Sequence, residues 1–253
     1  MSAPLGDILA RGLRTQKPRN IGITMLLDRG EMGPATLRDL MTVVGDHADY
    51  AKLAWASTLI MGDGTLEQKL DVYRAANITP LFGGTLFEYA YLQNKVPVLL
   101  DYIRDRGICI EISDGIVDVP RPEKLHWVET FAKHVRVFSE CGGKLATKNL
   151  DWKAAIAEEL SAGAYKVVIE GREIGPAGGD TSQAFLDMIV AAADPGQLVF
   201  EALERKQQVA LIQRFGSNVN LGNIPVDQAM AVECYRRGLK DRTMMQMHQA
   251  GTR

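Results

Sequence analysis

The chain has 253 residues, 46% of them apolar and 24% charged, with a net charge of -2 at pH 7. That balance suits one soluble globular domain and gives no electrostatic ground for binding nucleic acid or an anionic membrane. No apolar stretch reaches the roughly 18 residues needed to cross a bilayer. The opening MSAPLGDILARGLRTQKPRN lacks the apolar centre of a secretion signal, so the expected location is the cytoplasm. Three cysteines, Cys109, Cys141 and Cys234, have neither metal-type spacing nor the even number of a disulfide framework.

In chain order, the pattern predicts strand-then-helix units repeated eight times. After a lead-in over 1–18, strand one is expected at 21–27 and a helix at 36–46. Strand two, 49–54, precedes a helix at 65–76. Strand three, 78–82, runs into Gly83-Gly84-Thr85 and a helical stretch over 86–106 broken at Pro97. Strand four, 108–113, precedes a helix at 122–134, and strand five, 135–140, one at 151–162. Strand six, 165–170, is followed by a helix at 180–193, and strand seven, 197–202, by one at 204–214. Strand eight, 218–224, leads into a helix at 225–237 and a tail over 240–253, in which Met244, Met245 and Met247 are candidates for covering a barrel end or a subunit contact.

Strict alternation implies parallel strands with right-handed crossovers. Eight units without a glycine-rich dinucleotide fingerprint favour a closed (β/α)8 TIM barrel in a single domain, 1–253, over an open sheet. In such barrels the chemistry sits at the C-terminal ends of the strands, and here those ends are polar. They carry Asp28, Lys52, Glu88, Glu111, Ser113, Asp114, Glu140, Lys144, Glu170, Arg172, Glu173, Glu201, Asn218, Asn220 and Asn223. Carboxylates gathered in one mouth repel one another unless a hard divalent cation or basic groups compensate, and rim salt bridges are the plainer alternative. His47, His126, His134 and His248 fall on expected helices or in the tail, which argues against a histidine-based hydrolase.

Lys52 and Lys144 suit a Schiff base, a general acid or a phosphate anchor. Arg172 and the Gly83-Gly84-Thr85 turn read as an anion-binding set: the guanidinium offers a fork and the turn offers backbone N–H groups. Asn218 and Asn220, two apart, share one face of strand eight, where phosphate is often held.

Read together, the runs GITMLLDRG, GGTLFEYAY, EISDG, IEGRE and FGSNVNLGNI, with RRGL at 236–239, resemble the phosphosulfolactate synthase family over about residues 19–243. The resemblance implies a magnesium-dependent barrel lyase that adds sulfite to phosphoenolpyruvate. On that footing Lys144 is the general acid, with Lys52 and Glu170 beside it in the catalytic set. Arg172, Gly83, Gly84, Thr85, Asn218, Asn220 and Ser113 would meet substrate. Asp28, Glu111 and Glu140 would hold Mg2+, with Glu170 a further candidate. A homo-oligomer is expected, a trimer being one option. Gly143 and Ile174 stand where the family carries lysine and serine, which points toward a weakened sulfonate contact. The alternatives are the same fold and enolate chemistry with another nucleophile or phosphorylated acid, and a non-enzymatic scaffold.

Overall fold

The computed structural model describes residues 11–147, 149–176, 178–241 and 243–245, together with Leu5 and Leu9. Parts of the expected lead-in over 1–18 and most of the tail over 240–253, Met247 and His248 included, lie outside those residues. Eight strands close in sequence order into one barrel: β1 (Thr24–Asp28), β2 (Tyr50–Leu53), β3 (Thr79–Phe82), β4 (Cys109–Ile112), β5 (Val137–Cys141), β6 (Lys166–Ile169), β7 (Leu198–Glu201) and β8 (Leu221–Pro225). All eight neighbour pairs are parallel, so the (β/α)8 expectation holds.

The helices that wrap the barrel are α1 (Pro34–Val44), α2 (Asp63–Ala75), α3 (Gly84–Leu92), α4 (Val96–Arg104), α5 (Arg121–Ala132), α6 (Trp152–Ser161), α7 (Gly171–Ile174), α8 (Gln183–Ala192), α9 (Arg205–Phe215) and α10 (Ala229–Arg236). Local chemistry sets their starts. Proline occupies the first turn of α1, α4 and α5, where its missing N–H costs nothing. Asp151 caps α6 and Ser182 caps α8 through side-chain acceptors, while Glu204 and Gln207 form a reciprocal capping box on α9. The expected stretch 86–106 is indeed interrupted: α3 stops before Asn94, which takes a left-handed φ of 55°, and Pro97 opens α4. The short α7 was not legible, because four residues carry no helical periodicity.

Side chains in a strand alternate inward and outward, and that parity builds the interior. Met25, Tyr50, Leu81, Cys109, Phe138, Val168 and Val199 meet in one apolar layer inside the barrel. Ladder partners Lys52–Leu81, Leu81–Cys109, Glu111–Phe138, Glu140–Val168, Val168–Val199 and Glu201–Gly222 all belong to the inward set. The outward set packs on the helices: Leu26 and Ala51 against α1, Ile110 and Ile112 against α3 and α5, and Ile169 and Phe200 against α8 and α9. In β8 the register slips between its pairs with Thr24 and Leu26, and Asn223 takes the extra place with a left-handed φ of 53°. No helix among the described residues is long and apolar enough to cross a membrane.

Candidate active site

Two residues beyond five of these seven members of the apolar layer, the same strand face delivers a charge; beyond Met25 and Leu81 it brings Leu27 and Gly83. Tyr50 is followed by Lys52, Cys109 by Glu111, Phe138 by Glu140, Val168 by Glu170 and Val199 by Glu201. The period of two therefore stacks a polar layer on a dry floor at the C-terminal mouth. Lys52 Nζ lies at its centre, 2.7 and 2.9 Å from the two oxygens of Glu111 and 2.9 Å from Glu201 Oε1. Burial alone would depress the Lys52 ammonium, but Glu111, Glu201 and Glu140 outweigh it and raise the lysine above its ordinary value. Glu111 also accepts from the Gly84 N–H at 3.0 Å. Burial pushes its carboxyl up, yet Lys52 and Lys144 pull harder and hold it below the usual range.

Glu140 is different. Its carboxylate is fully buried and, among the described residues, neither oxygen accepts a hydrogen bond, although Oε1 sits 3.0 Å from Lys144 Nζ. The ions are close enough to attract, but the approach lies outside hydrogen-bonding angles. Burial, with Glu111, Glu201 and Glu170 adding repulsion, drives the Glu140 carboxyl well above its usual range despite Lys144. Among the described residues, Glu111, Glu140 and Glu201 are the group of three whose donor oxygens lie within 4.8 Å of one another. Three carboxylates, one of them unsatisfied, fit a hard oxygen-seeking cation, and such an ion would reverse the forces that now favour a proton on Glu140.

Lys144 follows the Gly142-Gly143 turn after β5. Its Nζ donates to Ser113 Oγ at 3.1 Å and lies 3.6 Å from Glu88 Oε1. Burial lowers the Lys144 ammonium and the surrounding Glu140, Glu111 and Glu88 more than restore it. Glu170 caps α7, accepting from the Arg172 N–H, and burial with the nearby Glu201 charge lifts its carboxyl to about 7. A carboxyl held near neutrality by burial and neighbouring charge has the environment that proton transfer requires.

That shift also fixes a sign for stability. The folded state holds a proton on Glu170 that the unfolded chain, with an ordinary value of 4.5, has released. The resulting stabilisation is complete below 4.5 and is lost as pH rises through about 7. Glu170→Gln, which cannot ionise, should therefore raise the urea midpoint at pH 8 and leave it nearly unchanged at pH 5. Equal shifts at both pH values would show that Glu170 is not the group responsible.

Several expected site residues lie elsewhere. Asp28 follows Leu27, an inward position, and so turns outward to α2. There it accepts from Lys69, from the Tyr73 hydroxyl at 2.7 Å and from the Gly30 N–H at 2.8 Å. It is a buried strut between β1 and α2, outside the carboxylate group. Asn218 and Asn220 precede β8, at the end of the barrel away from the mouth. Asn220 accepts from the Ile23 N–H and donates to the Leu198 and Gly196 carbonyls, knitting strand starts together. Even with the expected bounds of 218–224 both amides stand at the start of strand eight, which is the base of the barrel, and the observed start at Leu221 puts them just before it.

The Gly83-Gly84-Thr85 turn is at the mouth, but its N–H groups are partly committed: Gly83 to the Leu53 carbonyl and Gly84 to Glu111. Gly84 is required for space, since a Cβ there would overlap Ser113 Oγ. Arg172 is exposed at the rim, with Nε donating to the Lys144 carbonyl at 3.0 Å. Ile174 is fully buried among Leu186 and Ile189, so its difference from the family serine does not touch the mouth.

Glu201 stood among the strand-end acids without a metal role, and Glu88 without any. Parity could have found Glu201, which follows inward Val199 as Glu111 follows Cys109. Parity would also have removed Asp28. Glu88 reaches the mouth from α3, which no strand pattern reveals.

A closed barrel with buried lysines and glutamates converging at its C-terminal mouth is an enzyme of the TIM-barrel class. The model of the (2R)-phospho-3-sulfolactate synthase (ComA) family matches residues 12–241, and the chain belongs to that family. It is 35% identical to the phosphosulfolactate synthase of Methanothermobacter thermautotrophicus over 91% of this chain and 94% of that protein. The phosphosulfolactate synthase of Bacillus subtilis is 36% identical, covering 91% and 95% respectively. Among solved structures, a fructose-1,6-bisphosphate aldolase candidate from Coccidioides immitis matches with a TM-score of 0.58 at 14% identity, covering 89% of this chain and 94% of that one. A 3-hexulose-6-phosphate synthase matches at 0.54 and 15%, covering 84% and 99%. At such identities these two likenesses concern the fold alone.

Proposed function

We propose that this enzyme joins sulfite to C3 of phosphoenolpyruvate, giving 2-phospho-3-sulfolactate, with magnesium as its metal. Family membership supports the substrate pair. The single structural observation that carries the reading is Glu140, a buried carboxylate without a hydrogen bond, set between two other glutamates and beside Lys144. Magnesium held by Glu111, Glu140 and Glu201 would stabilise the negative charge that gathers on the substrate carboxylate.

The residues supply the rest. As the sulfur lone pair forms the C–S bond, the C2–C3 π electrons move toward the carboxylate, and C2 must then take a proton. Lys144, held protonated by its acidic neighbours, delivers that proton from one fixed side and so sets the configuration. Lys52 fixes Glu111 and Glu201 and keeps positive charge at the mouth's centre. Glu170, near neutrality, exchanges protons with the lysines. Arg172 keeps both Nη groups free of hydrogen bonds among the described residues, and from the rim it meets the phosphate or the incoming anion.

Phosphoenolpyruvate and sulfite, mixed with the enzyme and followed by loss of the enol phosphate, test this reading. Turnover should require both substrates, fall to background after exhaustive chelation and return with magnesium. Activity that survives chelation would remove the metal from the reading. Binding of phosphoenolpyruvate without a sulfite-dependent product would transfer the conclusion to another nucleophile, a reading now supported by Gly143 alone. Self-association belongs to the proposal as well, through the apolar groove where Leu59, Tyr89 and Val98 are exposed together.

A further inference from the structure

We propose that Glu88 is the positioning residue for Lys144, acting through the Ser113 hydroxyl and the 113–117 loop; the proposal rests on the role given to Lys144 above. Glu88 lies on α3 with its side chain almost wholly buried, an expensive place for a carboxylate unless donors converge on it. Three do. Ser113 Oγ donates to Oε1, and the Ile116 and Val117 N–H groups donate to Oε2 at 2.9 and 2.7 Å. One side chain thus clamps both ends of the loop that follows β4.

That loop holds Lys144 at three points. Its backbone N–H donates to the Gly115 carbonyl at 3.2 Å. Its stem crosses Gly115 so closely that a Cβ there would lie 2.8 Å from Lys144 Cγ and 3.0 Å from Cδ. Its Nζ donates to Ser113 Oγ at 3.1 Å. The last contact shows why an acid is needed at position 88. A serine hydroxyl has one hydrogen and a free rotor, and giving that hydrogen to Glu88 holds the rotor with its lone pairs toward the ammonium. Glu88, an acceptor on both oxygens when ionised, takes the hydrogen and leaves the lone pair for Lys144.

A glutamine at position 88 cannot do both jobs. If its oxygen accepts from the two loop N–H groups, its amide points two donors at Ser113, and the hydroxyl hydrogen loses its acceptor. If it is turned the other way, two backbone N–H groups face an amide N–H. A plain structural staple would also suffer from this substitution. Ser113→Ala separates the cases, because it leaves the Glu88 bonds to Ile116 and Val117 and the 3.6 Å approach of Glu88 to Lys144 in place and removes the hydroxyl that bridges the two.

The test uses Glu88→Gln and Ser113→Ala, each alone and combined with Lys144→Ala, in the phosphoenolpyruvate and sulfite assay. Each single variant should lower kcat about 10- to 100-fold, the scale of a misplaced reacting group, with KM for phosphoenolpyruvate changed less than about threefold. Neither should slow Lys144→Ala further, since a residue that acts through Lys144 has nothing left to position. Trace acetylation at one fixed pH, read by mass spectrometry, gives a measure independent of turnover: Lys144 labelling should change severalfold in both variants while Lys52 labelling does not. Additive losses on the Lys144→Ala background, or unaltered Lys144 labelling in Ser113→Ala, would overturn the proposal. If Glu88→Gln fails to fold, Ser113→Ala decides alone. If the wild-type enzyme does not turn over these substrates, the assigned function fails and the labelling still decides the positioning role.

Discussion

Lys144→Ala is expected to cut kcat by about 10²- to 10⁴-fold, the usual contribution of a positioned general acid. Among the described residues the other ammonium in the polar layer is Lys52, and it is occupied by Glu111 and Glu201. KM for phosphoenolpyruvate should move much less, because an interaction used in the transition state lowers kcat and kcat/KM together. Arg172→Ala should show the opposite split, with KM raised and kcat largely kept, since the guanidinium stands at the rim and touches the site's interior only through the Lys144 carbonyl. Steady-state kinetics of the two variants settle the assignment. Near wild-type kcat in Lys144→Ala, with activity abolished in Arg172→Ala, would exchange their roles.

Lys52→Met should be the most destabilising single change at the mouth. Methionine fills the volume of the stem but leaves Glu111 and Glu201 without the ammonium that both now contact within 3 Å. Breaking a buried ion pair by removing one partner costs about 3–5 kcal/mol, most of it the burden of stranded charge. The pH dependence has a definite sign. Glu111 has a depressed carboxyl, so its ion pair contributes stability above the unfolded value of 4.5 and loses it as pH falls below. The difference between wild type and Lys52→Met, read from urea unfolding, should thus be large at pH 8 and shrink toward pH 4. A destabilisation independent of pH would point to packing instead of charge.

Much of this architecture was legible in the sequence because it is periodic. Strands and helices came within a few residues of their observed limits, and Glu111, Glu140, Glu170, Lys52 and Lys144 were placed at one mouth by the rule that barrel chemistry sits at strand ends. The errors have a common physical origin. Asp28 was grouped with the metal candidates by position along its strand, although the inward Leu27 beside it sends the aspartate out to Lys69 and Tyr73. Asn218 and Asn220 are two apart and so share a facing, but facing does not set height: they stand at the start of the strand-eight run, which is the base of the barrel and not its mouth. Glu88 was hidden for another reason: its importance comes from a loop almost thirty residues away, clamped by contacts that only the folded chain creates.

The stacking of one charged tier directly on one apolar tier makes strand length a matter of arithmetic. Inserting a single residue in β4, β5 or β7 ahead of the acid would exchange inside for outside from that point on, sending Glu111, Glu140 or Glu201 toward the helices and Ile110, Ser139 or Phe200 inward; a deletion would bring in Ile112, Cys141 or Ala202 instead. A change of two residues would keep the facing but lift or sink the acid by a whole storey, away from Lys52. Neither step has a half-measure. Descendants of this fold can therefore vary freely in the loops above the mouth, whereas the strands beneath can alter the chemistry only by substitution in place, never by sliding.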